Sequence, residues 1–209
     1  MTPRLVFSIS VGLVLSAALS ACASVSDAAP AGQGRTAALG AIAPALPEGE
    51  VIGQGTVIDQ AGSAELCLGG VQESYPPQCA GVPLSGWTWD GLQGAESSGD
   101  VTWGAYAVQG TFDGSTITVT QPPILLALYD PMAVEDPTGG TAGVGTEAEL
   151  VAIQDSLVDR LGADYLSSGP MDGRLWIDVV WDDGTYQTAA DAEFGADMVI
   201  VRSALRPVG

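Results

Sequence analysis

The side chains able to do chemistry in this chain are almost all carboxylates. It holds 25 Asp and Glu against six cations, every one of them Arg, and it contains no His, no Lys and no Asn. Triads that use His as base, His-ligated zinc or copper, and Schiff-base or phosphate-clamping lysines are therefore excluded by residue type. The sequence also has no phosphate-binding P-loop, no G-x-G-x-x-G turn and no EF-hand run of oxygen ligands. What remains is acid–base work by paired carboxylates, which needs two acids about 5 to 10 Å apart in a cleft. Asp90, Glu96 and Asp100 are the candidates, but they stand in a Gly-rich stretch where acids ordinarily stay solvated. Asp178, Asp182 and Asp183 could hold Ca²⁺ weakly, although neighbouring strand positions point to opposite faces and a solvated turn is the preferred reading. The expectation is a chain without a cofactor, a metal or catalytic residues. The alternative is a carboxylate-dependent extracellular hydrolase.

The thiols point to a compartment. Met1-Thr2-Pro3-Arg4 is a short cationic start, and Leu5 to Ala21 carries no charge and is dominated by Leu, Val, Ile, Ala and Ser, the pattern of a secretory signal segment. It closes on Leu19-Ser20-Ala21-Cys22, which resembles the lipobox of bacterial lipoproteins. That resemblance implies cleavage after Ala21 and a diacylglyceryl thioether on the Cys22 sulfur. At about 0.8 kcal/mol per buried CH₂, two or three acyl chains hold a protein at a membrane where one binds reversibly. The alternative is an uncleaved signal anchor, which likewise places everything after residue 22 outside the cytoplasm. Removing Cys22 from the count leaves Cys67 and Cys79, an even pair in an exported chain, and so one disulfide. Closing a loop of about a dozen residues contributes roughly 3 kcal/mol in the chain-entropy model. The spacing is not C-x-x-C, and no His or further Cys completes a zinc site.

Net charge narrows the partners. The chain stands at −19, and only Arg4 among its cations lies in the export segment. Nucleic acid and anionic lipid headgroups would be repelled by the mature chain. Hydrophobic residues make up 46 %, with 28 Gly and 13 Pro, which suits a turn-rich β globule better than a helical bundle or a disordered chain. Missing Lys and Asn, whose codons are A-rich, point to a GC-rich coding sequence.

These residues must be positioned by short elements. Residues 1–21 read as signal peptide and 22–49 as a lipidated N-terminus and flexible tether of Ala, Ser, Gly and Pro. Residues 50–122 read as a β-rich domain carrying the disulfide. Its clearest feature is a hairpin of 103–112 and 115–120 about Asp113-Gly114, a pair suited to a type I′ turn. Residues 123–145 read as linker. Residues 146–209 alternate helix and strand: Thr146 and Glu149 form a capping signature before Leu150, Ile153, Leu157 and Leu161, a strand runs from Arg174 to Trp181, a second helix covers 185–194, and Met198–Val201 closes. The fold class expected is α+β: a small antiparallel barrel or sandwich, OB-like among the options, followed by a small α/β unit with two helices on one face of a short sheet.

The segment from Cys67 to Cys79, with Gly86-Trp87-Thr88-Trp89 and Trp103-Gly104, resembles a recurring, uncharacterised type of actinobacterial secreted protein over most of residues 50–122. The resemblance implies a compartment and a β domain, and it carries no activity to any position. Tyr75, Trp87 and Trp89 are the candidate recognition surface, because aromatics on a pre-organised loop lose little entropy on binding; core packing is the competing role. The function expected is a lipid-anchored module on the extracytoplasmic face of the cell membrane, binding an envelope or extracellular protein and not nucleic acid.

Overall fold

The computed structural model describes residues 37–131 and 136–208. Cys22 and the export segment lie outside the described residues. The β-rich part consists of β1 (Glu50–Gln60), β2 (Ser63–Cys67), β3 (Val82–Ser85), β4 (Glu96–Ser98), β5 (Val101–Phe112), β6 (Ile117–Val119) and β7 (Ile124–Leu125). β1 pairs with β2, β2 with β3, β3 with β6, β6 with β5, and β5 returns to β1, so five strands close a barrel. All of these pairings are antiparallel except β3 with β6. The expected α+β class with a small barrel is thus present, with closure removing most free sheet edges.

Alternation explains the interior. Val57, Leu66, Tyr106, Val108 and Ile117 turn inward and are buried, while intervening residues meet solvent or outer loops. Glycine permits the tightest crossing: a Cβ on Gly110 would lie 2.1 Å from the Thr118 carbonyl oxygen of β6. The hairpin after β5 differs from the expected two-residue turn. Phe112 pairs with Ile117 across a four-residue loop, because the Asp113 carboxylate accepts the backbone N–H groups of Ser115 and Thr116 and wraps the chain around itself.

The second part has α1 (Glu147–Leu161), β8 (Tyr165–Met171), β9 (Arg174–Val179), α2 (Thr185–Phe194), β10 (Val199–Ser203) and β11 (Arg206–Pro207). Thr146 and Glu149 form the reciprocal capping box that their spacing predicts. The sheet order is β10-β9-β8, with β9 and β10 parallel and joined through α2. Leu175, Ile177, Val179 and Val199 of one sheet face pack with Leu150 and Leu157 of α1 and Tyr186 and Ala190 of α2. No helix among the described residues is long and apolar enough to cross a membrane.

Two expectations about connecting segments are corrected. The stretch read as tether as far as residue 49 is ordered structure over 37–49: Leu39 is 1 % exposed within the helix-backed core, and the Trp181 indole donates to the Ala45 carbonyl oxygen at 2.8 Å. A single leucine among small residues is enough, because a preformed apolar slot rewards burial wherever it occurs. The stretch read as linker is also partly engaged. Leu125 pairs with Tyr106 of β5, and Gly143 and Gly145 donate to the Asp172 and Gly173 carbonyls. The barrel and the helix-backed sheet share material: β11 pairs with β1, and Val180, Trp181 and Leu205 enter the barrel core.

Candidate functional site

The sequence of β9, Arg-Leu-Trp-Ile-Asp-Val, sends Leu175, Ile177 and Val179 to the helices and so must send Trp176 and Asp178 to the opposite face. In β10, Val199 and Val201 join the helix side, leaving Ile200 and Arg202 beside them. The parallel register places Trp176 opposite Ile200 and Asp178 opposite Arg202. The helix-free face therefore carries an indole, an aliphatic side chain and an ion pair side by side.

The geometry of that pair is bidentate. Arg202 donates from Nε at 2.8 Å and from Nη2 at 2.9 Å to the two carboxylate oxygens of Asp178, and Ser167 of β8 adds a third donor at 2.7 Å. The guanidinium carbon lies 5.2 Å from the centre of the Trp176 ring, within cation–π range. The indole Nε1–H of Trp176 is buried and finds no acceptor among the described residues. A donor left this way costs about 1–3 kcal/mol, and Trp87 Nε1 and Arg174 Nε are left the same way.

A cleft of about 640 Å³ opens on this face. Besides Trp176, Asp178 and Arg202 it is bordered by Gln54 of β1, Arg206 of β11 and Asp136. The Asp136 carboxyl is held below the usual Asp range, first by the Thr138 hydroxyl and then by the Thr138 backbone N–H. Its lone pairs are committed to shaping a turn. Two arginines face two aspartates around the opening, so the cleft is close to neutral within a chain of net charge −19.

The residues singled out from sequence lie elsewhere. Cys67 and Cys79 form the disulfide, with Cα atoms 6.0 Å apart. Tyr75 is 75 % exposed and meets the Trp103 ring edge-on at 5.5 Å. Trp87 and Trp89 pack instead against the barrel core, with ring centres 5.5 and 6.0 Å from Tyr106, and Trp89 Nε1 donates to Asp59 at 2.9 Å. The three aromatics are thus split between an outer-face cluster and the barrel core rather than joined in one patch. Asp90, Glu96 and Asp100 are exposed.

The three acids considered for Ca²⁺ are dispersed into separate roles. Asp178 holds Arg202, Asp182 accepts from the Tyr186 and Gln187 N–H groups in the first turn of α2, and Asp183 accepts from Thr185 and Ala45. Among the described residues no group of three or more metal-ligating side chains occurs. Sequence reasoning missed Trp176, Arg202 and Gln54 as neighbours. The alternation within Arg174–Val179 already put Trp176 and Asp178 on one face, but the partner strand and its register were not readable. No protein-family model, curated protein or solved structure matches the chain.

Proposed function

We propose that this chain is a membrane-anchored extracytoplasmic lipoprotein, and that its folded part is a non-catalytic binding module for an envelope or extracellular protein. The lipobox-like Leu19-Ser20-Ala21-Cys22 supports the anchor, and the Cys67–Cys79 disulfide fits an oxidising compartment. One observation carries the binding role: the Trp176, Asp178 and Arg202 wall of the cleft is built from groups that hold one another in place. Asp178 accepts from three donors, and Arg202 is both hydrogen-bonded and stacked, so the surface is pre-organised for contact.

The anchor is tested by metabolic labelling with tritiated palmitate. Label should enter the full chain and vanish in Cys22→Ser; label retained by that variant rejects lipidation at Cys22. The binding role is tested by placing a photo-crosslinking residue at Gln54 in intact cells. One defined adduct is expected there and none from the same probe at Asp159, on the exposed side of α1. Turnover of a glycan or ester by the mature chain, abolished by a carboxylate substitution, would instead establish the hydrolase reading.

A further inference from the structure

The cleft does not end on the sheet face. It is bordered by Ile200, Val201, Arg202, Ser203 and Ala204 in succession, so it also runs along the backbone of β10. Among the described residues β10 pairs only with β9 and is an edge of its sheet. Bonds across that pairing use the Met198 carbonyl and the Ala204 N–H, which leaves the alternate residues Val199, Val201 and Ser203 with backbone groups directed outward. On this outer edge the side-chain amide of Gln187 stands in for a neighbouring strand. It donates to the Val199 oxygen at 2.9 Å and accepts from the Val201 N–H at 2.8 Å. Among the described residues no hydrogen bond reaches the next outward pair, the Val201 oxygen and the Ser203 N–H.

We infer that the outer edge of β10 accepts an extended, basic peptide segment of another protein as an added strand, with Gln187 as the placeholder that satisfies part of the edge when it is empty. This rests on the binding-module reading and names its ligand class. The peptide backbone would complete the Val201 and Ser203 positions, and alternate side chains would reach the Trp176 wall, the usual division of labour in strand addition. The free amide of Gln54, for which no side-chain partner occurs among the described residues, lies across the cleft to take a further backbone group.

Charge selects the occupant. Arg202 is tied to Asp178 and Arg206 is also engaged; Asp136 borders the cleft, Asp197 is exposed and lies 3.9 Å from Arg174, and Asp191 accepts from Gln187. The cleft itself is close to balanced, so the net charge of the whole chain sets the preference: a second copy would bring another −19, which disfavours self-pairing, whereas a Lys-bearing strand is drawn toward the chain.

The test uses the mature chain from residue 22 with Cys22→Ser and a fluorescent peptide, Lys-Thr-Val-Thr-Val-Lys. Saturable binding is expected, with amide shifts concentrated at Val201 and Ser203. Methylating alternate peptide nitrogens should abolish it, exchanging Lys for Glu should weaken it, and Gln187→Ala should tighten it by about tenfold, the effect of removing a competitor for roughly one hydrogen-bonded position. No binding, or binding indifferent to N-methylation, overturns the inference. A dimer through β10 in sedimentation also overturns it. If chitotetraose binds this cleft and the peptide does not, strand addition falls while a binding module remains.

Discussion

Arg160 of α1 grips the main-chain carbonyl of Leu39 with two donors, Nε at 3.0 Å and Nη2 at 2.8 Å, and so fastens a segment 121 positions earlier in the chain to the helix-backed sheet. The Glu193 carboxylate of α2 completes the clasp by accepting the Leu39 N–H at 2.9 Å. A side chain that the sequence offers as part of a tether is therefore a core residue.

Leu39→Ala should lower stability by about 2–5 kcal/mol, the range for truncating a fully buried leucine. Urea unfolding of the chain from residue 22 onward would show a lower midpoint with an unchanged slope. A midpoint equal to that of the parent would mean the segment contributes nothing to the fold.

The two Glu193 contacts predict an acid limb. Hydrogen bonding from Arg160 holds the Glu193 carboxyl below its ordinary value; burial opposes it, and the Leu39 N–H and the Arg160 charge add to the lowering. A depressed folded-state value means stability that is present above the unfolded Glu range and lost as pH falls through the folded one. Glu193→Gln should therefore be less stable than the parent near neutrality and should converge with it in acid, as read from melting temperatures between pH 7 and pH 3.

Asp182 has the opposite sign. Burial raises its carboxyl above the Asp range even though it accepts N–H groups from the first turn of α2. Its ionised form is thus less favoured folded than unfolded, and its contribution is larger in acid and declines as pH rises through the folded value. Asp182→Asn keeps an acceptor for Tyr186 without the buried charge and should match or exceed the parent at pH 7. Asp182→Ala should lose about 1 kcal/mol of helix capping. An Asn variant as unstable as the Ala variant would refute this balance.

The aromatic residues should separate by setting. Trp87→Ala and Trp89→Ala remove rings packed on the barrel core and should cost up to about 3–5 kcal/mol, moderated by their partial exposure. Tyr75→Ala, at an exposed loop position, should stay within about 1 kcal/mol. Thermal melts of the three variants would check this ordering.

Breaking the disulfide by Cys67→Ala with Cys79→Ala should remove roughly 3 kcal/mol, since the bond closes a loop with a sequence separation of 12. Reductant should reproduce that loss in the parent and leave the double variant unchanged, which isolates the covalent link from the packing of the two side chains.

The residue sequence by itself determined the features governed by local rules. The capping box at Thr146 and Glu149, the span of α2 ended by Gly195, the alternation in β9 and the pairing of the two cysteines left after Cys22 follow from neighbours a few positions apart or from counting residue types. The barrel class was legible for the same reason, as a run of short strands punctuated by turns.

Only the tertiary structure decided what depends on register and on surfaces meeting from distant positions. Nothing local marks Leu39 as core, because its slot is built by α1, α2 and the sheet between them. Trp176 and Arg202 are separated by 26 positions, and they touch because β9 and β10 run parallel in a register that aligns Trp176 with Ile200 and Asp178 with Arg202. A shift of one residue would turn Arg202 to the opposite face and abolish the site. The open position beside β10 likewise depends on distant parts of the chain, which leaves that sheet after Ser203 and pairs β11 with β1.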